Sequence, residues 1–134
     1  MSRNRYLLDT SALLTLIENE AGADYVTQIL NEFESYLPWL ALLETHYITR
    51  QEQGRVEADK RYAFIHRLPS TIIWQVSEAI VLTSARLKAK YHISLADSII
   101  AAIAIDYDLI LLHKDPEFES LNHLLQLEAL PYKV

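Results

Sequence analysis

Apolar and polar positions along the chain fall into two alternating regimes. Short runs that are apolar at every position read as strands buried on both faces, and longer stretches with apolar residues three and four apart read as helices. Residues 6–8 form the first apolar run, which stops at Asp9. Residues 11–18 predict a helix with Thr10 or Ser11 as its cap. Gly22 punctuates, and residues 23–34 carry Tyr25, Val26, Ile29, Leu30 and Phe33 at helical spacing. A second short strand is predicted over 35–38, then a helix over 40–53 that ends near Gly54, then a polar helix over 55–67. Past Pro69, residues 71–76 are β-branched and aromatic and predict a third strand. Ser77 caps a helix over 78–91, and Ser94 opens another to about residue 105. Residues 109–112 give a fourth, fully apolar strand, Asp115-Pro116 a turn, and 123–130 a last strand.

Short apolar strands alternating with helices predict an α/β chain with a mainly parallel sheet. No linker, repeat or low-complexity tract interrupts the pattern, so residues 1–134 are read as one domain. In sheets of this kind ligands bind beyond the carboxyl ends of strands. Asp9 and Asp115 each follow such an end.

Composition narrows the chemistry. With 51% hydrophobic residues the chain is expected to fold, and a net charge of −6 argues against simple electrostatic binding to nucleic acid. It does not exclude a nuclease, whose metal-binding carboxylates are themselves negative. There is no cysteine, which removes disulfides, thiolate zinc sites and cysteine nucleophiles. The first apolar run is too short for a signal peptide, and no run approaches a membrane span, so a cytoplasmic protein without membrane attachment is expected.

Four acids then stand out. Asp9 suits a helix cap or turn as well as it suits a site. Glu44 is flanked at helical spacing by Leu40, Ala41, Tyr47 and Ile48, which directs its carboxylate towards the core side, where an unpartnered charge is costly. Asp97 stands three residues after Ser94, the spacing of a capping box, at the start of a helix apolar on every side from 99 to 105. Asp115 alone reads as an Asp-Pro turn, with Glu117 two residues on. Asp106 and Asp108 precede the fourth strand and belong at its other end. Brought together, the four would repel one another, and a hard divalent cation such as Mg²⁺ or Mn²⁺ would relieve that repulsion. The five histidines lack zinc-type spacing, and His113 reads first as an exposed loop residue, with contact to the site as the other reading. No Gly-x-Ser-x-Gly or phosphate-binding glycine loop is present. Ser11 stands where a haloacid-dehalogenase-type phosphatase needs a second aspartate.

Four segments in order carry a family resemblance: Tyr6-Leu7-Leu8-Asp9-Thr10-Ser11-Ala12-Leu13, Leu40-Ala41-Leu42-Leu43-Glu44-Thr45-His46-Tyr47, Ser94-Leu95-Ala96-Asp97-Ser98-Ile99-Ile100-Ala101-Ala102 and Leu111-Leu112-His113-Lys114-Asp115-Pro116-Glu117-Phe118. Together they resemble the PIN-domain nucleases, in particular the VapC-type toxin ribonucleases of toxin–antitoxin modules, over nearly the entire chain. The resemblance implies a three-layer α/β/α sandwich and Mg²⁺- or Mn²⁺-dependent hydrolysis of RNA phosphodiester bonds, leaving a 5′-phosphate and a 3′-hydroxyl. It places the acidic metal site on Asp9, Glu44, Asp97 and Asp115, with Asp9, Asp97 and Asp115 as ligands and Glu44 orienting a neighbouring group or the attacking water. Thr10 and Ser11 match the small hydroxyl positions beside the first aspartate. Two positions depart: the family usually has Thr or Ser where this chain has His113, and often Asp where it has Glu117.

The resemblance also implies a homodimer and a cognate antitoxin protein, for which Tyr25, Tyr36, Trp39, Tyr47 and Tyr62 are candidate surface. Arg86, Lys88 and Lys90 precede the Asp97 helix and are the first candidates for contacts to the RNA backbone. The rival readings are a catalytically silent PIN-like binding module, and a metal-dependent nuclease or phosphatase outside a toxin–antitoxin system.

Overall fold

The computed structural model describes residues 4–133; the remaining termini of the predicted 1–134 domain lie outside the described residues. The order is β1 (Arg5–Leu8), α1 (Thr10–Ile17), α2 (Ala23–Glu32), β2 (Glu34–Pro38), α3 (Trp39–Gln53), α4 (Arg55–His66), β3 (Thr71–Ile73), α5 (Glu78–Lys90), α6 (Leu95–Tyr107), β4 (Ile110–His113), a short 3-10 helix (Pro116–Leu121) and β5 (Leu127–Ala129). The sheet runs β3-β2-β1-β4-β5, and all four pairings are parallel. Every described carboxyl end of a strand therefore lies along one edge of the sheet.

Successive residues of a strand face opposite sides of a sheet. Leu7 and Leu111 turn to the layer of α5 and α6, where Ile80, Leu87, Ile100 and Ile103 pack. Tyr6, Leu8, Leu37, Ile110 and Leu112 turn to the other layer, against Leu13, Val26, Ile29, Leu42 and Ile65 from α1 to α4. The result is an α/β/α sandwich, and it explains why β1 and β4 have no polar face. Ala101, Ala102 and Ala104 are fully or almost fully buried, and their small side chains admit α6 close to the sheet.

The core places the site through three connections. β1 enters α1 with only Asp9 between them. β2 enters α3 with no linker, because Pro38 needs no ladder donor at the strand end and Trp39 begins the helix. α1 returns to α2 through Gly22 at φ +103, where a Cβ would stand 3.1 Å from Pro131 and 3.2 Å from Leu130. That turn packs on the segment after β5 and closes one side of the sheet edge.

Several boundaries differ from expectation. The third strand stops at Ile73, not residue 76: Trp74 and Val76 are about half exposed, and Trp74 stacks on His66 of α4 instead of extending the ladder. The last strand contracts to Leu127–Ala129, and a 3-10 helix follows the Asp-Pro turn. Neither Thr10 nor Ser11 caps α1. Asp9 does, with an extended backbone (φ −79, ψ 178) and a carboxylate that accepts the Ala12 N–H.

Candidate acidic site

Asp97, Asp115 and Glu117 each bring a carboxylate oxygen within 4.8 Å of the other two. Asp97 arrives from the first turn of α6, whose start is fixed by Ser94: the serine Oγ accepts the Asp97 N–H at 3.1 Å. The same bond that begins the helix thus sets the acid's position. Asp115 and Glu117 arrive from the turn after β4, where the Asp115 carboxylate accepts the Glu117 N–H at 2.9 Å. Glu117, a supporting candidate by sequence, stands in the tightest group, while Asp9 and Glu44 face it from the other layer.

Asp9 is 2% exposed. Its carboxylate accepts the Ala12 N–H at 2.8 Å and the Ser11 hydroxyl at 2.7 Å. Burial, with the negative charges of Asp115 and Glu44 added, outweighs those bonds and pushes Asp9 up to about 7. Asp97 is also pushed up to about 7, first by burial and then by the charges of Asp115, Asp9 and Glu44. The mutual repulsion expected of gathered acids is thus present, and all four sequence-derived acids take part in it.

Glu44 corrects a detail of the sequence reading. Leu40 and Ala41 are buried as expected, with Leu42, Thr45 and Thr49, but Tyr47 and Leu43 are exposed. Glu44 lies at the boundary, half-buried. It is held there by Thr10, whose hydroxyl donates to its Oε1 at 2.6 Å. Nothing in the sequence signals this pair, since it joins two helices.

His113 is also a correction. It is not an exposed loop histidine but the fully buried last residue of β4. Its Nδ1 accepts the Asp115 N–H at 3.1 Å, and burial holds the ring below its ordinary pKa, in the neutral form. Ser11 completes the frame. Its Oγ accepts the Lys114 N–H at 2.8 Å, joining the turn after β4 to α1.

Beside the acids lies a cavity of about 330 Å³ lined by Ser11, Asp115, Lys114, Tyr132 and Lys133 among others. Its two ammonium groups are committed to Glu20, at 3.5 Å from Lys114 and 3.0 Å from Lys133. Of the proposed RNA contacts, Arg86, Lys88 and Lys90 are exposed on α5; Lys88 donates to the Ile93 carbonyl at 2.9 Å, and Lys90 stands over the Tyr91 ring. Tyr47 and Tyr62 are exposed, whereas Tyr25, Tyr36 and Trp39 are partly buried.

The donors are all carboxylate oxygens, two of them on acids that resist ionisation. That set fits a hard divalent cation, whose charge would offset the repulsion, and does not suit a thiolate-seeking metal.

Comparison with known proteins adds three findings. The family model described as PIN domain matches residues 6–124, a span that includes all five acids. No curated protein matches the sequence. Solved structures share the fold: VapBC2 from Rickettsia felis bound to a DNA fragment from their promoter has a TM-score of 0.78 and 16% identity over 95% of this chain and 99% of that one. VapBC-1 from nontypeable Haemophilus influenzae gives 0.73 and 20%, over 93% and 97%. The Mycobacterium tuberculosis toxin VapC20, described as cleaving the sarcin–ricin loop, gives 0.69 and 13%, over 86% and 93%.

Proposed function

The chain belongs to the PIN domain family, and from that premise we propose that it is a divalent-metal-dependent endoribonuclease, the toxin of a toxin–antitoxin module. The observation that carries the reading is the convergence of Asp97, Asp115 and Glu117 at the carboxyl edge of the sheet, with Asp9 and Glu44 facing them. A binding module would have no use for carboxylates gathered at such an electrostatic cost.

In this reading Asp9, Asp97 and Asp115 hold Mg²⁺ or Mn²⁺, and Glu117 supplies a further oxygen. When bound, the cation contributes positive charge at a phosphate oxygen and makes bound water more acidic. Glu44, fixed by Thr10, orients water beside the reacting phosphate. Ser11 holds Asp9 and the turn after β4 in one frame, and His113 supports that turn. Arg86, Lys88 and Lys90, exposed towards the carboxyl end of α5, contact the RNA backbone.

Partners follow from the same reading. Solved structures of this fold include toxin–antitoxin complexes, one from Klebsiella pneumoniae, which supports an antitoxin protein as the regulator. A second copy of the chain is the partner assigned to the apolar surface of α5 and α6, where Val81 is 53% and Leu95 62% exposed around a cavity floored by Trp39, Ile80 and Ile99.

The test is a cleavage assay on purified protein freed of any partner. Single-stranded RNA and DNA of one sequence are incubated with Mg²⁺, Mn²⁺ or a chelator. The expected result is RNA cut to 5′-phosphate ends with either metal and no cleavage in chelator. Cleavage of DNA alone, or no cleavage of RNA with either ion, overturns the reading.

A further inference from the structure

The two nitrogens of His113 are treated differently by the fold. The side chain is fully buried. Its Nε2 has no hydrogen-bond partner among the described residues. Its Nδ1 accepts the backbone N–H of Asp115 at 3.1 Å, a bond that assigns the proton of the neutral ring to Nε2. The ring meets Phe118 edge-on at 5.2 Å between centroids and lies tilted to Tyr132 at 6.2 Å. As filler, an apolar ring would serve this position better, because a buried donor without a partner is unfavourable. What only the imidazole supplies here is the acceptor at the δ position.

That acceptor completes a set. The Lys114 N–H goes to Ser11 Oγ at 2.8 Å, the Asp115 N–H to His113 Nδ1, and the Glu117 N–H to the Asp115 carboxylate at 2.9 Å. Pro116 has no N–H to place. Every amide proton from 114 to 117 is therefore held, and the two acids of the turn converge with Asp97 within 4.8 Å. Without the His113 nitrogen, the amide of the first acid would have to turn elsewhere for a partner.

We propose that His113 is a positioning residue whose Nδ1 fixes the 115–117 turn so that Asp115 and Glu117 meet Asp97 ready to share a divalent cation. The inference rests on the metal-site reading above. It assigns the ring a role through a backbone amide, not through contact with substrate or metal.

The δ-specific claim separates two substitutions. Asn places an amide oxygen where Nδ1 stands, whereas Gln carries its amide one carbon further out. His113→Asn is expected to keep the Mn²⁺ affinity of the unaltered chain, measured by calorimetry. His113→Gln is expected to lose about 10- to 100-fold of it, the usual cost of removing a group that orients a ligand. Hydrogen exchange gives a readout that needs no variant: the Asp115 amide of the unaltered chain is expected to exchange well below the rate of the same amide in an unfolded chain. Unchanged Mn²⁺ affinity in folded His113→Gln, equal weakening in folded His113→Asn, or fast exchange at Asp115 overturns the proposal. Mn²⁺ binding that depends on His113 in this way, in a protein that cuts no RNA, supports the positioning role and sinks the ribonuclease reading. His113-independent Mn²⁺ binding in a protein that does cut RNA sinks the positioning role alone.

Discussion

The hydroxyl of Ser11 accepts the backbone N–H of Lys114 at 2.8 Å while donating to the carboxylate of Asp9 at 2.7 Å. One side chain thus fastens the first acid of the site to the turn that carries Asp115 and Glu117. The α1 cap itself does not depend on it, because Asp9 also accepts the Ala12 N–H.

Ser11→Ala removes both bonds and leaves the Lys114 N–H without its acceptor. The expected cost is about 1–2 kcal/mol of stability, read by denaturant unfolding, with the same fold by circular dichroism. RNA cleavage is expected to fall together with stability, since the turn carrying Asp115 loses one of its anchors. Unchanged stability would show that the bond carries no weight.

Thr10 and Glu44 allow a cleaner separation of fold from activity. Thr10→Val keeps the shape and removes the hydroxyl that donates to Glu44 at 2.6 Å. Cleavage is expected to drop about tenfold with little change in thermal midpoint, and Thr10→Ser to restore it. Equal rates in the valine and serine variants would dismiss Glu44 as a group that must be oriented.

Acidity gives a prediction whose sign follows from the site. Asp9 and Asp97 are both raised from the ordinary value of 3.8 to about 7, mainly by burial. The folded chain therefore binds more protons than the unfolded chain between those values. The stability this contributes is fully present below about pH 4 and is lost as pH rises through 7. Metal-free protein is expected to melt at a higher temperature at about pH 5.5 than at about pH 8, and added Mn²⁺ to raise the midpoint more at pH 8, where the ligands are ionised. A metal-free midpoint that climbs with pH, or no gain from Mn²⁺ at pH 8, would contradict the site.

Much of the fold could be read from residue patterns, for a physical reason. A strand covered on both faces has no polar position, so β1 and β4 announce themselves, as do the helices whose apolar residues recur at three and four. The β3 boundary could not be read, because Trp74 and Val76 have strand-forming side chains and only the finished fold shows Trp74 leaving the ladder to stack on His66. At the start of α1, three consecutive residues, Asp9, Thr10 and Ser11, could all cap, and the choice fell to backbone geometry.

The acids were legible as candidates, because a carboxylate beside apolar positions is costly wherever the chain goes. Thr10 and Ser11 were legible as hydroxyls beside Asp9, but the bonds they make were not. The Thr10–Glu44 and Ser11–Lys114 bonds join segments distant in sequence and leave no local trace. His113 resembled a loop residue because the chain turns just after it, and its burial comes from Phe118 and Tyr132, which fold back over it. Glu117 gained its place from the Asp115 carboxylate that holds its amide.

The most direct measurement compares Asp97→Asn with Asp106→Asn for RNA cleavage at saturating Mn²⁺. Asp97 stands in the acid cluster, whereas Asp106 is an exposed residue near the far end of the same helix. The expected result is a loss of about 100-fold or more for Asp97→Asn, with its fold retained, and a near-natural rate for Asp106→Asn. Full Mn²⁺-dependent cleavage by folded Asp97→Asn would contradict the account.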